Sequence, residues 1–189
     1  MSNLDHQPIL VSGAHRSGTT WVGKMLAAGP RVAYISEPLN VWHRPGVFRT
    51  PTRYWYSYIC EENQLDYLES FQELLRFKYH TNLEIRSIKS AKDVGRMGRD
   101  WWTFWKGRKN SQKLLIKDPF AVFSSEWFSR SLGCRPVIVV RHPAAVASSL
   151  MKLGWSFNFQ DLLDQPLLMR DWLDPFREDM EKLIGTQTS

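Results

Sequence analysis

A short apolar run followed by a glycine-bounded loop and a helix-like pattern is the strongest constraint in this sequence. Residues 9–11 are Ile-Leu-Val, and the loop after them is bounded by Gly13 and Gly18. Thr19 and Thr20 then open a segment with apolar residues at helical spacing. In a strand–loop–helix unit of this kind, backbone N–H groups and a helix N-terminus point toward one spot and favour an anion there. The stretch therefore predicts a phosphate-binding loop within an α/β fold.

The loop differs from that of a nucleoside triphosphatase at one position. Such enzymes have Lys and then Ser or Thr after the second glycine, with the lysine on the β- and γ-phosphates and the hydroxyl on Mg²⁺. Here Thr19 follows Gly18, and the nearest cation of the loop is Arg16. The loop therefore favours phosphate binding over ATP hydrolysis. A P-loop kinase or nucleotidase that uses Mg-ATP is kept as the alternative.

Strand-like and helix-like patterns alternate along the rest of the chain. The patterns predict strands at 8–12, 32–35, 114–116 and 137–140, and helices at 19–28, 62–78, 121–132, 143–153 and 167–184. This alternation predicts βαβ units. We expect one α/β domain over residues 1–189, with a P-loop-like central parallel sheet flanked by helices. The β-branched run at 137–140 predicts a strand that is buried on both faces.

The composition is that of a globular chain. Of the 189 residues, 43% are hydrophobic, which is enough for one domain with a full core. Cys60 and Cys134 lie far apart and do not form a disulfide framework. Neither a signal peptide nor an apolar run of the roughly 20 residues that cross a bilayer is recognisable. We expect a cytoplasmic protein, and the sequence is compatible with contact at a membrane surface.

Positive charge is concentrated in one segment. The formal net charge is +6, and residues 76–113 hold eleven Lys or Arg against three acids, together with Trp101, Trp102 and Trp105. Basic residues interleaved with aromatics can bind nucleic acid, a sugar chain or lipid head groups. The alternative is a solvated helix on which at least two of the tryptophans share a buried face. No recognisable nucleic-acid module surrounds the segment, so we expect no nucleic-acid partner.

Polar residues follow each predicted strand. The strand ends carry the 13–20 loop, then Glu37, then Lys117 with Asp118, and finally Arg141 with His142. The carboxyl ends of parallel strands meet at one edge of a sheet, where ligands bind. Several cations, a loop of amide donors and one carboxylate suit an anionic donor that is attacked by a group losing a proton. No cluster has the spacing of metal ligands, so we expect no metal.

Two stretches carry a family resemblance. Residues 16–21 are Arg-Ser-Gly-Thr-Thr-Trp, and residues 137–149 are Val-Ile-Val-Val-Arg-His-Pro-Ala-Ala-Val-Ala-Ser-Ser. The first resembles the 5′-phosphosulfate loop of sulfotransferases that use 3′-phosphoadenosine 5′-phosphosulfate (PAPS). The second resembles their 3′-phosphate motif, an arginine at a strand end and a serine eight residues later. The resemblance implies PAPS as the co-substrate, bound by Arg16, Ser17, Gly18, Thr19, Thr20, Trp21, Arg141 and Ser149.

The segment after the second predicted strand indicates a branch of that family. Residues 34–39, Tyr-Ile-Ser-Glu-Pro-Leu, resemble the Phe-Glu-Pro-Leu of the carbohydrate-type or bacterial branch. Pro119 stands where the cytosolic branch has its catalytic histidine. The resemblance implies that Glu37 is the general base, that Arg16 and Lys117 stabilise charge on the sulfonyl donor, and that the acceptor is a hydroxyl, with a sugar favoured. The alternative for Glu37 is a structural ion pair with Arg16 or Lys117.

One part of the family pattern has no counterpart in this sequence. The family closes its nucleotide site with a glycine- and lysine-rich loop near the C-terminus, whereas this chain ends Gly-Thr-Gln-Thr-Ser over 185–189. The resemblance therefore implies a C-terminally truncated or divergent member, with a PAPS-binding but inactive protein as a further alternative.

Trp21 has two interpretations. Its indole either stacks on the adenine of the co-substrate, or it anchors the first helix in the core.

Overall fold

Four strands form a single parallel sheet in the computed structural model, which describes residues 7–110 and 112–187. They are β1 (Ile9–Ser12), β2 (Val32–Ser36), β3 (Lys113–Lys117) and β4 (Arg135–Ile138), in the order β2-β3-β1-β4. Leu10 of β1 lies beside Ile116 of β3, and both are fully buried. The predicted α/β class with a parallel sheet is confirmed. The predicted domain bounds, 1 and 189, lie outside the described residues.

Helices connect and flank the strands. They are α1 (Thr19–Leu26), α2 (Leu65–Leu75), α3 (Thr81–Ser87), α4 (Ala91–Lys109), α5 (Ser125–Leu132), α6 (Pro143–Met151), α7 (Gln160–Leu163), α8 (Pro166–Leu168) and α9 (Arg177–Gln187). Pro143 occupies the first turn of α6, where its missing N–H costs no helical hydrogen bond. In the described part of the chain, no helix has both the length and the apolarity that a bilayer crossing requires.

The long segment between β2 and α2 has no regular structure, as its sequence indicates, but it supplies much of the core. Leu39, Phe48, Tyr56 and Ile59 are all buried. Aromatic rings meet there edge to face, for example Tyr56 and Phe120 with centroids 5.4 Å apart. The irregular segment is therefore packed against the sheet, and it holds the residues that follow β2 in fixed positions.

The prediction that the strand near 137–140 is buried on both faces is wrong. All four residues of β4 are exposed, and β4 pairs only with β1 among the described residues. Helix α6 buries none of its residues either. A β-branched run indicates a strand, but its burial depends on neighbours that the run does not specify.

The predicted helix at 167–184 is interrupted. A π turn (Met169–Leu173) and a 3₁₀ turn (Asp174–Phe176) separate α8 from α9. Pro175 lies in the 3₁₀ turn, where a proline removes a backbone donor and prevents a continuous α-helix.

Of the two interpretations of the basic segment, the one in which at least two tryptophans share a buried face is wrong. Phe104 and Gly107 make the core contact of α4, whereas Trp101, Trp102 and Trp105 are all exposed. Gly107 is needed at this contact because a Cβ there would overlap the ring of Phe77. The close approach of α4 to Phe77 turns the tryptophans toward solvent.

Candidate functional site

Two glycines give the loop between β1 and α1 its path. Gly13 has φ 145° and Gly18 has φ 103°, both in the region that favours glycine. A Cβ at Gly13 would overlap the carbonyl oxygen of Val139, whose N–H donates to the Ser12 carbonyl at 2.8 Å. The first glycine therefore lets the loop lie directly against the segment that follows β4.

The loop has polar groups suited to an anion. Ser17 is buried, and its Oγ has no hydrogen-bond partner among the described residues. Helix α1 begins at Thr19 without a side-chain cap on its first N–H groups. Unpaired donors at a helix N-terminus attract a negatively charged group. These residues fit the phosphate end of a nucleotide.

The second motif meets the loop at Arg16. The Arg16 Nε donates to Ser149 Oγ at 3.0 Å, and Arg141 Nη1 donates to the Arg16 carbonyl at 2.9 Å. Arg16 and Arg141 are both exposed. The structure thus brings together the residues assigned from both motifs, at the edge where the strands end.

The other residues predicted to bind the co-substrate at the start of α1 differ in exposure. Thr19 is buried, Thr20 is exposed, and Trp21 has 68% of its surface exposed. Trp21 does not anchor α1 in the core, so that interpretation is wrong. Its indole is available for contact with a ligand.

Glu37 forms an ion pair with Lys117, one of the two partners anticipated for it, and none with Arg16 among the described residues. Asn40 Nδ2 donates to the other carboxylate oxygen of Glu37 at 2.9 Å. The backbone of Glu37 is left-handed, with φ 54°, and its N–H donates to the Lys117 carbonyl at 2.7 Å. Lys117 is almost fully buried, and Glu37 is partly exposed. The pair orients the carboxylate while leaving part of it accessible.

Burial alone would raise the pKa of Glu37, but the hydrogen bonds from Lys117 and Asn40 and the nearby charges of Lys117 and His15 outweigh it. The pKa of Glu37 therefore lies below its usual value, and the side chain is ionised at neutral pH. An ionised, oriented carboxylate can accept a proton. Asn40 was not predicted from the sequence, where nothing distinguishes it from any other loop asparagine.

His15 connects the loop to the core. Its Nδ1 and the Tyr56 hydroxyl lie 2.6 Å apart, and its backbone N–H donates to the same hydroxyl at 3.2 Å. The centroids of the His15 and Phe120 rings are 4.4 Å apart. Burial is the main reason that the pKa of His15 is lowered; Lys117 and Arg16 lower it further, and Glu37 opposes them. His15 therefore favours the neutral form, and its contacts with Tyr56 and Phe120 attach the loop to the core.

Asp118 holds the segment after β2 in place. Its carboxylate is fully buried and accepts hydrogen bonds from the N–H of Leu39 at 2.7 Å and of Phe120 at 3.0 Å. Burial raises the pKa of Asp118 to about 7. Both carboxylate oxygens are used by backbone donors, so Asp118 has a structural role beside Glu37.

A cavity of about 450 Å³ opens beside Glu37. The segment after β2 and helix α4 line it, with polar or aromatic side chains from Glu37, Asn40, Trp42, Arg44, Arg99, Asp100 and Thr103. Its volume lies within the range of small-molecule sites. The sequence did not indicate this cavity, because its two walls are separated by more than fifty residues along the chain.

Arg44 is fixed at the wall of this cavity. Its Nη2 is paired with the buried Glu84 and donates to the Asp93 carbonyl at 3.1 Å. Glu84 also accepts a hydrogen bond from the Gly46 N–H at 2.9 Å. The Nη1 of Arg44 is buried without a partner among the described residues. The ion pair and hydrogen bonds around Arg44 fix this wall of the cavity.

The comparisons with known proteins agree with this geometry. A sequence model of the sulfotransferase family matches residues 8–184, nearly the whole chain. No curated protein and no solved structure matches it. The matched region contains the glycine loop, the Glu37–Lys117 pair and the Arg141–Ser149 segment. The chain therefore belongs to the sulfotransferase family, a family of transferases.

Proposed function

We propose that this protein transfers a sulfonyl group from PAPS to a hydroxyl of a carbohydrate. The observation that carries the proposal is the meeting of Arg16, Arg141 and Ser149 at one end of the sheet. Two motifs far apart in sequence converge there on a loop with unpaired donors. A nucleotide with phosphates at both the 5′ and 3′ positions matches two anion sites joined in this way.

In this proposal, each of the two motifs binds one end of the donor nucleotide. The loop N–H groups, Ser17, Thr19 and Thr20 would hold the 5′-phosphate, and Arg141 with Ser149 would hold the 3′-phosphate. The exposed indole of Trp21, at the start of α1, would stack on the adenine. PAPS, when bound, supplies the sulfonyl group and leaves as adenosine 3′,5′-bisphosphate.

The chain itself contributes positioning, charge and a proton acceptor. The Arg16 guanidinium neutralises negative charge beside the loop, as cations do in phosphoryl transfer. The buried Lys117 ammonium is ion-paired with the Glu37 carboxylate and adds positive charge at the carboxyl end of β3. Glu37 accepts the proton that the acceptor hydroxyl loses. The lowered pKa of Glu37 keeps it ionised but also limits its strength as a base.

The cavity beside Glu37 supports a sugar acceptor. Asn40, Asp100 and Thr103 offer polar groups to hydroxyls, and Arg44 lines the same cavity. The largely exposed Trp42 offers a ring face at the rim. Several hydrogen-bonding side chains beside one aromatic ring match the alternating polar and apolar surfaces of a sugar.

A cytoplasmic location is part of the proposal. Cys60 and Cys134 are both free, with Cys134 buried and its thiol pKa raised to about 12 by burial. Free thiols are typical of proteins in reducing compartments.

Calorimetry with adenosine 3′,5′-bisphosphate and with ATP, in the presence and absence of Mg²⁺, tests the identity of the donor. We expect adenosine 3′,5′-bisphosphate to bind without metal and more tightly than ATP or Mg-ATP. Binding of ATP only in the presence of Mg²⁺, with none of the bisphosphate, would support a kinase or nucleotidase instead. Transfer of radiolabelled sulfonate from PAPS to a panel of saccharides then tests the reaction. Bisphosphate binding without transfer to any hydroxyl compound would identify a PAPS-binding but inactive protein.

A further inference from the structure

An exposed cluster of three tryptophans on α4 is not used by the proposed reaction. Trp101, Trp102 and Trp105 have 45%, 53% and 40% of their surfaces exposed. The ring centroids of Trp102 and Trp105 lie 4.9 Å apart, and those of Trp101 and Trp105 lie 6.4 Å apart, with the rings close to parallel in both pairs. We call these three residues the tryptophan cluster. Exposed apolar area of this kind on a folded surface marks an interaction site.

Cations surround the tryptophan cluster. Helix α4 has six Lys or Arg and two Asp. Asp93 pairs with Arg96 and Asp100 pairs with Arg99. Lys106 and Arg108 lie beside the cluster, are exposed and form no ion pair within residues 7–110 and 112–187. The helix therefore presents uncompensated positive charge on the flanks of an apolar patch.

We propose that α4 docks this protein onto an anionic lipid surface, with the tryptophan cluster in the interface and Lys106 and Arg108 on the head groups. Indoles favour the membrane–water boundary because they combine a large apolar body with one N–H donor. Lysine and arginine beside them are attracted to acidic lipids. The proposal is independent of the transfer reaction.

The central ring of the cluster is not available for stacking on a base or a sugar. Trp105 contacts Trp101, Trp102 and the Lys109 ammonium, which lies 4.7 Å from its ring centroid. Stacking of a base or a sugar requires a free ring face, which only Trp101 and Trp102 retain. A lipid interface instead uses apolar area beside positive charge, and all three rings contribute to it.

The opposite side of α4 shows what such docking would do. Arg99, Asp100, Thr103 and Phe104 line the cavity beside Glu37, while the tryptophan cluster faces solvent. A helix with its side chains is about 10 Å across. Docking through the cluster would place the cavity roughly one helix diameter from the lipid head groups.

Vesicle flotation of the full chain tests the proposal. The probes are vesicles of phosphatidylcholine alone and vesicles with about three parts phosphatidylcholine to one part phosphatidylserine. We expect binding to the mixed vesicles and little to the neutral ones. The combined variant Trp101→Ala, Trp102→Ala, Trp105→Ala should weaken binding by more than about tenfold. The charge variant Lys106→Gln, Arg108→Gln should weaken it roughly tenfold or more.

Matched controls separate the cluster from general effects. Trp155→Ala removes another exposed tryptophan, and Arg130→Gln with Lys182→Gln removes two exposed cations elsewhere. These variants should bind like the wild type. Circular dichroism checks that every variant is folded, and lipids brominated on their acyl chains should quench the fluorescence of Trp155→Ala more than that of the triple variant.

Three results would overturn the proposal. The first is no flotation with the mixed vesicles. The second is binding that the triple variant leaves unchanged, which would reflect only the overall charge. The third is tighter, cluster-dependent binding to heparin or single-stranded DNA than to the vesicles, which would identify a polysaccharide or nucleic acid as the partner.

Discussion

Arg16 Nε donates a 3.0 Å hydrogen bond to Ser149 Oγ, across 133 positions of sequence. The two residues come from different motifs, one on the loop after β1 and one on α6. Their contact shows that the two motifs, which we propose hold the 5′- and 3′-phosphates, meet at one polar surface. A bisphosphate placed there would exchange this exposed hydrogen bond for charge-assisted ones.

Ser149→Ala should weaken binding of adenosine 3′,5′-bisphosphate by roughly ten- to a hundredfold, because a hydrogen bond to a charged group is lost. Calorimetry measures the dissociation constant. The neighbouring Ser148→Ala is the matched control, since Ser148 is exposed on the same helix and belongs to neither predicted contact. Equal bisphosphate affinities for the two variants would show that Ser149 does not contact the bisphosphate.

Glu37→Gln should lower the rate of sulfonyl transfer by about 10²- to 10⁴-fold, because glutamine cannot accept the proton. Bisphosphate affinity should stay within about twofold of the wild type, since the glutamine oxygen can still accept a hydrogen bond from Lys117. Transfer assays and calorimetry on the same preparation measure both.

The exposed Glu61→Gln serves as the control for the loss of one carboxylate. If Glu37→Gln instead abolishes bisphosphate binding, the Glu37–Lys117 pair has a structural rather than a catalytic role.

Gly13→Ala should destabilise the fold by about 2–4 kcal/mol, because its φ of 145° strains any other residue and its Cβ would overlap a backbone carbonyl. Urea unfolding measures the change. Gly29→Ala, where a Cβ meets nothing within 4 Å, should change stability by less than about 1 kcal/mol. Similar losses for both variants would contradict the close approach of the loop to Val139.

His15 should make stability depend on pH below 6.5, the ordinary pKa of histidine. Because burial lowers the pKa of His15 in the folded state, the unfolded chain binds a proton first as the pH falls. This part of the stability is therefore complete above 6.5 and is lost as the pH falls toward the folded pKa.

Urea unfolding of wild type and His15→Gln, about one pH unit above and below 6.5, checks this. The wild type should lose more stability than the variant on acidification, by at most about 1.4 kcal/mol per pH unit for one proton. Parallel losses would show that His15 has the same affinity for protons in both states.

Ile138→Ala should cost less than about 1 kcal/mol, whereas Ile116→Ala should cost about 2–5 kcal/mol. Both replace an isoleucine of the sheet, but Ile138 is exposed on the edge strand β4 and Ile116 is fully buried in β3. Urea unfolding of the two variants compares them directly. A large loss for Ile138→Ala would mean that β4 is covered in solution.

Local features of the chain were predictable from the sequence because they depend on neighbouring residues. The apolar run before Gly13 determined a strand, the two glycines determined the loop, and Thr19 opened a helix, since each is a short-range preference of backbone and side chains. The parallel sheet followed from the alternation of strands and helices. The placement of Arg16, Glu37, Lys117 and Arg141 at the strand ends was predictable, because each ends a strand, directly follows one or lies in the segment after one.

Features that depend on contacts between distant segments required the tertiary structure. The order β2-β3-β1-β4 leaves the apolar β4 at an exposed edge, which its own sequence does not reveal. The contact of Gly107 with Phe77 decides which side of α4 faces the core and turns its tryptophans outward. The choice of Lys117 over Arg16 as the partner of Glu37, and the cavity beside that pair, likewise arise where separate segments meet. Periodicity and spacing report what lies near in sequence, whereas packing selects which surfaces meet.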